Sequence, residues 1–313
     1  MNDAGDTVIG ILSAFRPTAE VVENCAAVLP QVTSLIVVDD GSGPEFNGLF
    51  SSLRELGCAV IENHANVGIA AALNVGVAKA RAANADFVLT LDQDSSVPES
   101  YVNHLVDEYI AATKAGIAVG MVAPWKISGR PSTKAYTERH GFTLGSEPIQ
   151  SGQVIPMSTF DRVGPFAEDF FIDGVDADFY LRSKRIGLSS VFCRHVDLGH
   201  AMGIAGKAQL FGRQIMRGSK ARVLRYHPPW RNYYIFRNGL VLLARYGLVD
   251  GSFLRSYLIG MSKRFLITML FTPNKSTQFA AISRGLWHAV SRRSGKLPAK
   301  LHERWSLSAS DNE

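Results

Sequence analysis

Two carboxylates one residue apart, in Leu91-Asp92-Gln93-Asp94-Ser95, close an apolar run from Phe87 to Leu91. A short apolar run reads as a buried strand. Acidic groups just past its C-terminal end lie where open α/β sheets bind ligands. At this spacing two carboxylates can share one hard divalent cation, which commonly serves a substrate's phosphates, although a solvated turn has the same composition. Three other constellations accompany this pair. Asp39-Asp40-Gly41-Ser42 ends a second apolar run, where a carboxylate can accept hydrogen bonds from a nucleobase imide or a ribose hydroxyl; the same residues also make a plain turn. Asn66-Val67-Gly68 precedes a helical stretch whose first N–H groups suit phosphate or ribose, and where Asn equally suits an ordinary cap. Phe170 to Arg182 contains Asp173, Asp176 and Asp178 among aromatic and aliphatic residues. Three acids there are costly to bury unless they meet a cation or a substrate proton, while Asp is also favoured at a helix start by the dipole.

The elements that must carry these residues alternate. Strands are predicted at Val8 to Ser13, Ser34 to Val38, Cys58 to Glu62, Phe87 to Leu91 and Ala118 to Ala123. Helices are predicted at Ala19 to Leu29, Phe46 to Leu56, Ile69 to Ala83 and Tyr101 to Ala115. Strand–helix alternation argues for a parallel sheet with right-handed crossovers. Pro124 to Gly152, with several Gly, Pro, Ser and Thr residues, reads as loop and short strands that shape a cleft. Val175 to Arg185 reads as a helix, followed after Pro228-Pro229 by helices at Tyr233 to Tyr246, Phe253 to Leu270 and Thr277 to Ser291.

Composition narrows the class. The chain has 313 residues, 46% hydrophobic and 19% charged, which describes a folded protein. Cys25, Cys58 and Cys193 show neither paired nor metal-ligand spacing, as expected in a reducing compartment. The polar Met1 to Thr7 predicts no signal peptide, and no run of about 18 apolar residues predicts a spanning helix. The net charge of +5 gathers after Lys207, with few acids among the basic residues. That asymmetry points to a phosphate-bearing partner, an anionic membrane surface or nucleic acid, or to a solvated basic face. No nucleic-acid motif supports the third partner. Gly-x-Gly-x-x-Gly after the first strand and the P-loop signature are both missing, which argues against nicotinamide-binding and P-loop folds. Aspartyl phosphohydrolases place Asp-x-Asp on the first strand before Gly-Thr, whereas here it follows several strand–helix units and precedes Ser95-Ser96.

In order and spacing the motifs resemble inverting nucleotide-sugar glycosyltransferases of the GT-A fold. These motifs are Val38-Asp39-Asp40-Gly41-Ser42, Asn66-Val67-Gly68, Asp92-Gln93-Asp94 and Phe171-Ile172-Asp173-Gly174-Val175-Asp176-Ala177-Asp178-Phe179 with Arg182. Within that group the chain is similar to the bacterial rhamnosyltransferase branch, through Ser151-Gly152, Gly199-His200-Ala201-Met202-Gly203 and Tyr233-Tyr234-Ile235-Phe236-Arg237-Asn238. The resemblance covers roughly residues 7 to 246. It implies an α/β, Rossmann-like, mostly parallel sheet flanked by helices, with a C-terminal helical extension. A catalytic domain over 1–225 and a basic, aromatic region over 226–313 are expected.

The resemblance also implies site roles. Asp39, Asp40, Asn66, Gly68, Asp92, Gln93, Ser151 and Gly152 bind the nucleotide sugar. Asp94 and His200 hold Mn²⁺ or Mg²⁺, and Asp176 is the catalytic base, its pKa raised by the like charges of Asp173 and Asp178. Asp173, Asp178, Trp230, Arg231, Tyr233 and Arg237 are expected toward the acceptor, although aromatics at helical spacing also suit a core. The implied donor is dTDP-rhamnose, with UDP-galactofuranose or another UDP-sugar as the alternative, and the implied acceptor is a cell-envelope or lipid-linked glycan. Cytoplasmic residence follows, with peripheral attachment at the inner face of the plasma membrane or a homodimer contact through the C-terminal helices. A non-catalytic nucleotide-binding or nucleic-acid-binding protein is the reading of a different class.

Overall fold

Short runs rich in Val, Ile and Leu, buried on both faces, become the central strands, and the Ala-rich stretches between them become helices that pack on the sheet. The computed structural model describes residues 5–133, 135–200, 204–207, 209–210, 213–214, 216–217, 220–221, 223–247 and 251–310. Residues 1–4, Ala201 to Gly203 of the histidine motif, and the basic Arg222 lie outside the described residues. The chain divides into two compact units, Met1–Phe171 with Val175–Ala201, and Ile172–Gly174 with Met202–Glu313.

The first unit runs β1 (Val8–Ala14), α1 (Glu20–Val28), β2 (Ser34–Asp39), α2 (Asn47–Leu56), β3 (Ala59–Glu62), α3 (Ile69–Ala82), β4 (Phe87–Asp92), β5 (Ser95–Ser96), α4 (Tyr101–Lys114) and β6 (Val119–Ile127). It continues with β7 (Arg130–Pro131), β8 (Tyr136–Arg139), β9 (Phe142–Gly145), β10 (Gln153–Pro156), α5 (Met157–Val163), α6 (Val175–Arg185) and β11 (Ser189–His200). The sheet order is β3-β2-β1-β4-β10-β6-β11-β9-β8, with β5 paired to β11 and β7 to β6. The first four strands are parallel, and β6 is parallel to β11. Between these groups β10 runs antiparallel to both neighbours. The α/β, GT-A-type sheet expected from the sequence is therefore present. Its core packs Leu12, Val37, Leu89 and Leu91 with Tyr101 and Leu105 of α4.

The alternating elements fall where periodicity places them. The segment 124–152 supplies the end of β6 and the edge strands β7, β8 and β9. The short α5 and the strands β10 and β11 are additions that the sequence reading did not contain.

The second unit holds short strands β12 (Ile204–Lys207), β13 (Gln209–Leu210), β14 (Arg213–Gln214), β15 (Met216–Arg217), β16 (Lys220–Ala221) and β17 (Val223–Tyr226). They pair antiparallel as β12–β17, β13–β14 and β15–β16. Four helices follow: α7 (Pro229–Tyr246), α8 (Gly251–Phe271), α9 (Lys275–Val290) and α10 (Ala299–Ser310). α7 begins four residues before the expected Tyr233, because Pro229 takes the first helical position, where its missing N–H costs nothing. No helix among the described residues is long and apolar enough to cross a membrane.

Candidate active site

β4 delivers Asp92 as its last residue, and a tight turn through Gln93 and Asp94 leads into β5. There the chain pairs with the end of β11, Ser95 opposite His200 and Ser96 opposite Gly199. This ladder brings His200 to Asp94, with Nδ1 and Oδ1 3.3 Å apart. Asp92, Asp94 and His200 each offer one ligand atom within 4.8 Å of the other two. Neighbouring oxygens around one small cation with ligand distances of about 2.1 Å stand roughly 3 Å apart. The spacing admits one small divalent cation, for which the two carboxylates are the hard oxygen donors that Mn²⁺ and Mg²⁺ take. Gly199 eases the approach, because a Cβ at that position would meet Ser96 Oγ and force that side chain to turn aside.

A chain of hydroxyls backs the triad. The Asp92 N–H donates to Ser151 Oγ at 2.9 Å, Ser151 Oγ lies 2.7 Å from Ser95 Oγ, and Ser95 Oγ lies 3.0 Å from His200 Nδ1. Ser151 and Ser95 are both buried. Gly152 locks this loop to β4 by donating to the Thr90 carbonyl at 2.7 Å. Its φ of +78°, together with the Tyr101 hydroxyl 2.5 Å from where a Cβ would stand, leaves room only for glycine.

The Asp39–Ser42 turn and the Asn66–Gly68 loop are shaped by the carboxylates expected to meet the nucleoside. Asp39 accepts from the Ser42 N–H and hydroxyl. Asp40 accepts from the N–H groups of Val67 and Gly68, each at 2.8 Å. Gln93 is likewise committed, since its Oε1 accepts the Phe15 N–H at 2.8 Å and its carbonyl accepts Asn24 Nδ2 at 3.0 Å. Asn63 donates its backbone N–H to the Asp39 carbonyl, and its buried Nδ2 has no hydrogen-bond partner among the described residues. A buried donor without a protein partner is the kind of group an ordered water satisfies.

Phe171 joins this loop to the acidic block. It has φ 66° and ψ −61°, a conformation that costs a bulky residue on the order of 1–3 kcal/mol. In return its carbonyl accepts the Ile69 N–H, the first of α3, at 2.9 Å. Gly68 permits the contact, as the Phe171 carbonyl oxygen is 2.6 Å from where its Cβ would sit. Asp176 then occupies the first turn of α6, half-buried, with Oδ1 accepting the Ala177 N–H at 2.8 Å. Asp178 is buried and bound to Arg182 Nε at 2.7 Å, while the same guanidinium donates to the carbonyls of Val163 and Pro165.

Residues 15–167 match the family described as Glycosyl transferase family 2. The chain is 24% identical over 247 residues to the dTDP-rhamnosyl transferase RfbF of Shigella flexneri, covering 68% of this chain and 80% of that one. It shares its fold with S. aureus TarS, at TM-score 0.52 and 13% identity over 94% of this chain and 50% of that chain. A GalNAc-T7 structure with UDP, GalNAc and Mn²⁺ matches at TM-score 0.54 and 12% identity, over 93% and 59%. The chain thus spans between half and three-fifths of those two structures. It is a glycosyltransferase of the GT-A fold.

In this glycosyltransferase the remaining expected residues belong to the second unit. Asp173 is held by the Arg231 guanidinium at 3.1 Å, and Asn238 Nδ2 donates to the carbonyls of Ile172 and Asp173. Trp230 packs against Tyr234 and His302. Tyr233 and Arg237, expected to face the acceptor, are instead buried. Tyr233 contacts His288 Nδ1 at 2.7 Å. Arg237 lies over the Tyr233 and Tyr234 rings and donates to Asn238 Oδ1 and the Gly295 carbonyl. Burial of a large aromatic and a stacked guanidinium between helices is a packing role.

Sequence reasoning passed over Ser95, Asn63 and Phe171. Ser95 adjoins the metal motif and was legible by adjacency, whereas nothing local marks Asn63 or the backbone of Phe171.

Proposed function

We propose that this enzyme transfers L-rhamnose from dTDP-rhamnose to a hydroxyl of a cell-envelope or lipid-linked glycan, inverting the anomeric configuration. The observation that carries the donor class is the meeting of Asp92, Asp94 and His200 at the C-terminal end of β4, beside loops shaped by Asp39 and Asp40. The rhamnosyl assignment is supported by the likeness to RfbF.

Asp94 and His200 hold the cation, and Asp92 meets the ribose or the cation's water. When bound, Mn²⁺ or Mg²⁺ offsets the charge that grows on the leaving diphosphate. The loop at Asn66 and Gly68 flanks the nucleoside. At Asp176 a carboxylate oxygen accepts the proton of the attacking hydroxyl. That hydroxyl oxygen bonds to the anomeric carbon as the bond to the diphosphate breaks. One displacement suffices, and no covalent sugar–enzyme intermediate forms.

Ligand that binds only the native state raises its apparent stability. Thermal unfolding with dTDP-rhamnose, UDP-galactofuranose, UDP-glucose or GDP-mannose, each with and without Mn²⁺, should give the largest metal-dependent rise with dTDP-rhamnose. A larger rise with another sugar nucleotide would overturn the donor. Asp176→Asn should keep that rise yet lower turnover by roughly 10²–10⁴-fold, the range of general-base catalysis. Near-normal turnover in this variant would sink the base assignment.

A further inference from the structure

From Gly251 to His302 the chain carries nine basic residues (Arg255, Lys263, Arg264, Lys275, Arg284, Arg292, Arg293, Lys296 and Lys300) and no Asp or Glu. The same stretch exposes large apolar side chains. On α8, Leu258, Ile259, Leu266 and Leu270 are 46%, 58%, 56% and 40% exposed. With Ser262 and Lys263 they line one open groove along the helix. On α9, Phe279, Trp287 and Val290 are 55%, 61% and 70% exposed, at a spacing that keeps them on one stripe. α8 also buries Phe253 and sets Phe265 against Phe236 of α7, so it is apolar both where it packs and where it does not. Such a helix has a second face that calls for cover.

We infer that α8 and α9 dock in the plane of an anionic lipid bilayer. The exposed stripes enter the headgroup–acyl boundary, while Arg255, Lys263, Arg284, Arg292 and Arg293, all exposed, meet the lipid phosphates. Trp287 sits at the depth that indole rings favour. A second copy of the chain fits less well, because a two-fold interface would set this acid-free cationic surface against itself. The inference rests on the surface alone and stands apart from the donor assignment.

The full chain should float with phosphatidylcholine vesicles that contain phosphatidylglycerol, and remain in solution with phosphatidylcholine alone. Brominated acyl chains should quench its Trp emission, and Trp287→Phe should remove most of that quenching. Leu258→Glu with Leu266→Glu, both at exposed positions, should reduce vesicle partition at least about tenfold, while nucleotide-sugar stabilisation and far-UV circular dichroism stay unchanged. Three results would each overturn the proposal. These are equal retention by neutral and anionic vesicles or by neither, wild-type retention of the double variant, and a solution dimer that the two substitutions split.

Discussion

Ser151 receives the Asp92 amide hydrogen and touches Ser95, whose hydroxyl reaches His200 Nδ1, so one hydroxyl ties the end of β4 to the imidazole. Groups that orient metal ligands commonly govern affinity by 10–100-fold. Ser151→Ala should therefore raise the Mn²⁺ concentration needed for half-maximal transfer by about that factor. Turnover at saturating metal should fall much less, and a metal titration with an unmoved midpoint would refute the relay. Sequence exposes Asp92 and Asp94 through the order and spacing of the motifs around them, since two acids at a strand end read equally well as a solvated turn when taken alone. It does not expose what Asp40 and Gln93 do in the folded chain, since their partners, Val67 for Asp40 and Phe15 for Gln93, lie 27 and 78 positions away.

The pairing of β5 with β11 is what turns a distant histidine into a neighbour of Asp94, and Gly199 opposite Ser96 eases the approach of the two strands. Gly199→Ala should force the Ser96 side chain aside and weaken metal activation, and adding Ser96→Gly should restore most of it by vacating the space the new methyl needs. Failure of that rescue in the same titration would show that the ladder does not set the site. The parallel strands and the helices up to α4 were legible because buried apolar runs alternate with amphipathic ones. β10 was not, for it is a four-residue strand ending in Pro156, inserted antiparallel between partners distant in sequence. β11 hid for another reason: its register shifts between Cys193 and Asp197 break the periodicity along which Arg194 and His195 lie.

At the scale of the whole chain, charge was readable in the sequence but its consequence for the interior was not. Burial and the nearby Arg231 and Arg264 push the His227 imidazole down to about 4 from its usual 6.5. Between these values the unfolded chain binds a proton that the folded chain refuses. The stabilisation is thus complete above pH 6.5 and is lost as the pH falls toward 4, by on the order of 3 kcal/mol. His288 is pushed down as well, chiefly by burial. Denaturant unfolding across this window should lose stability steeply with acid, and His227→Asn should flatten the loss, with a residual slope from His288. An unchanged slope would show that His227 is not the titrating group. The helices α7 to α9 were foreseen from their aromatic and apolar content, but the burial of Tyr233 and Arg237 depended on α9 and the segment after it, which local sequence cannot supply. A last consequence belongs to Phe171. Its carbonyl fastens the start of α3, and the same residue leads, four positions later, into the helix that bears Asp176. The start of α3 and the first turn of the helix that carries Asp176 are therefore fastened to each other through one residue, so a change of backbone at Phe171 displaces both.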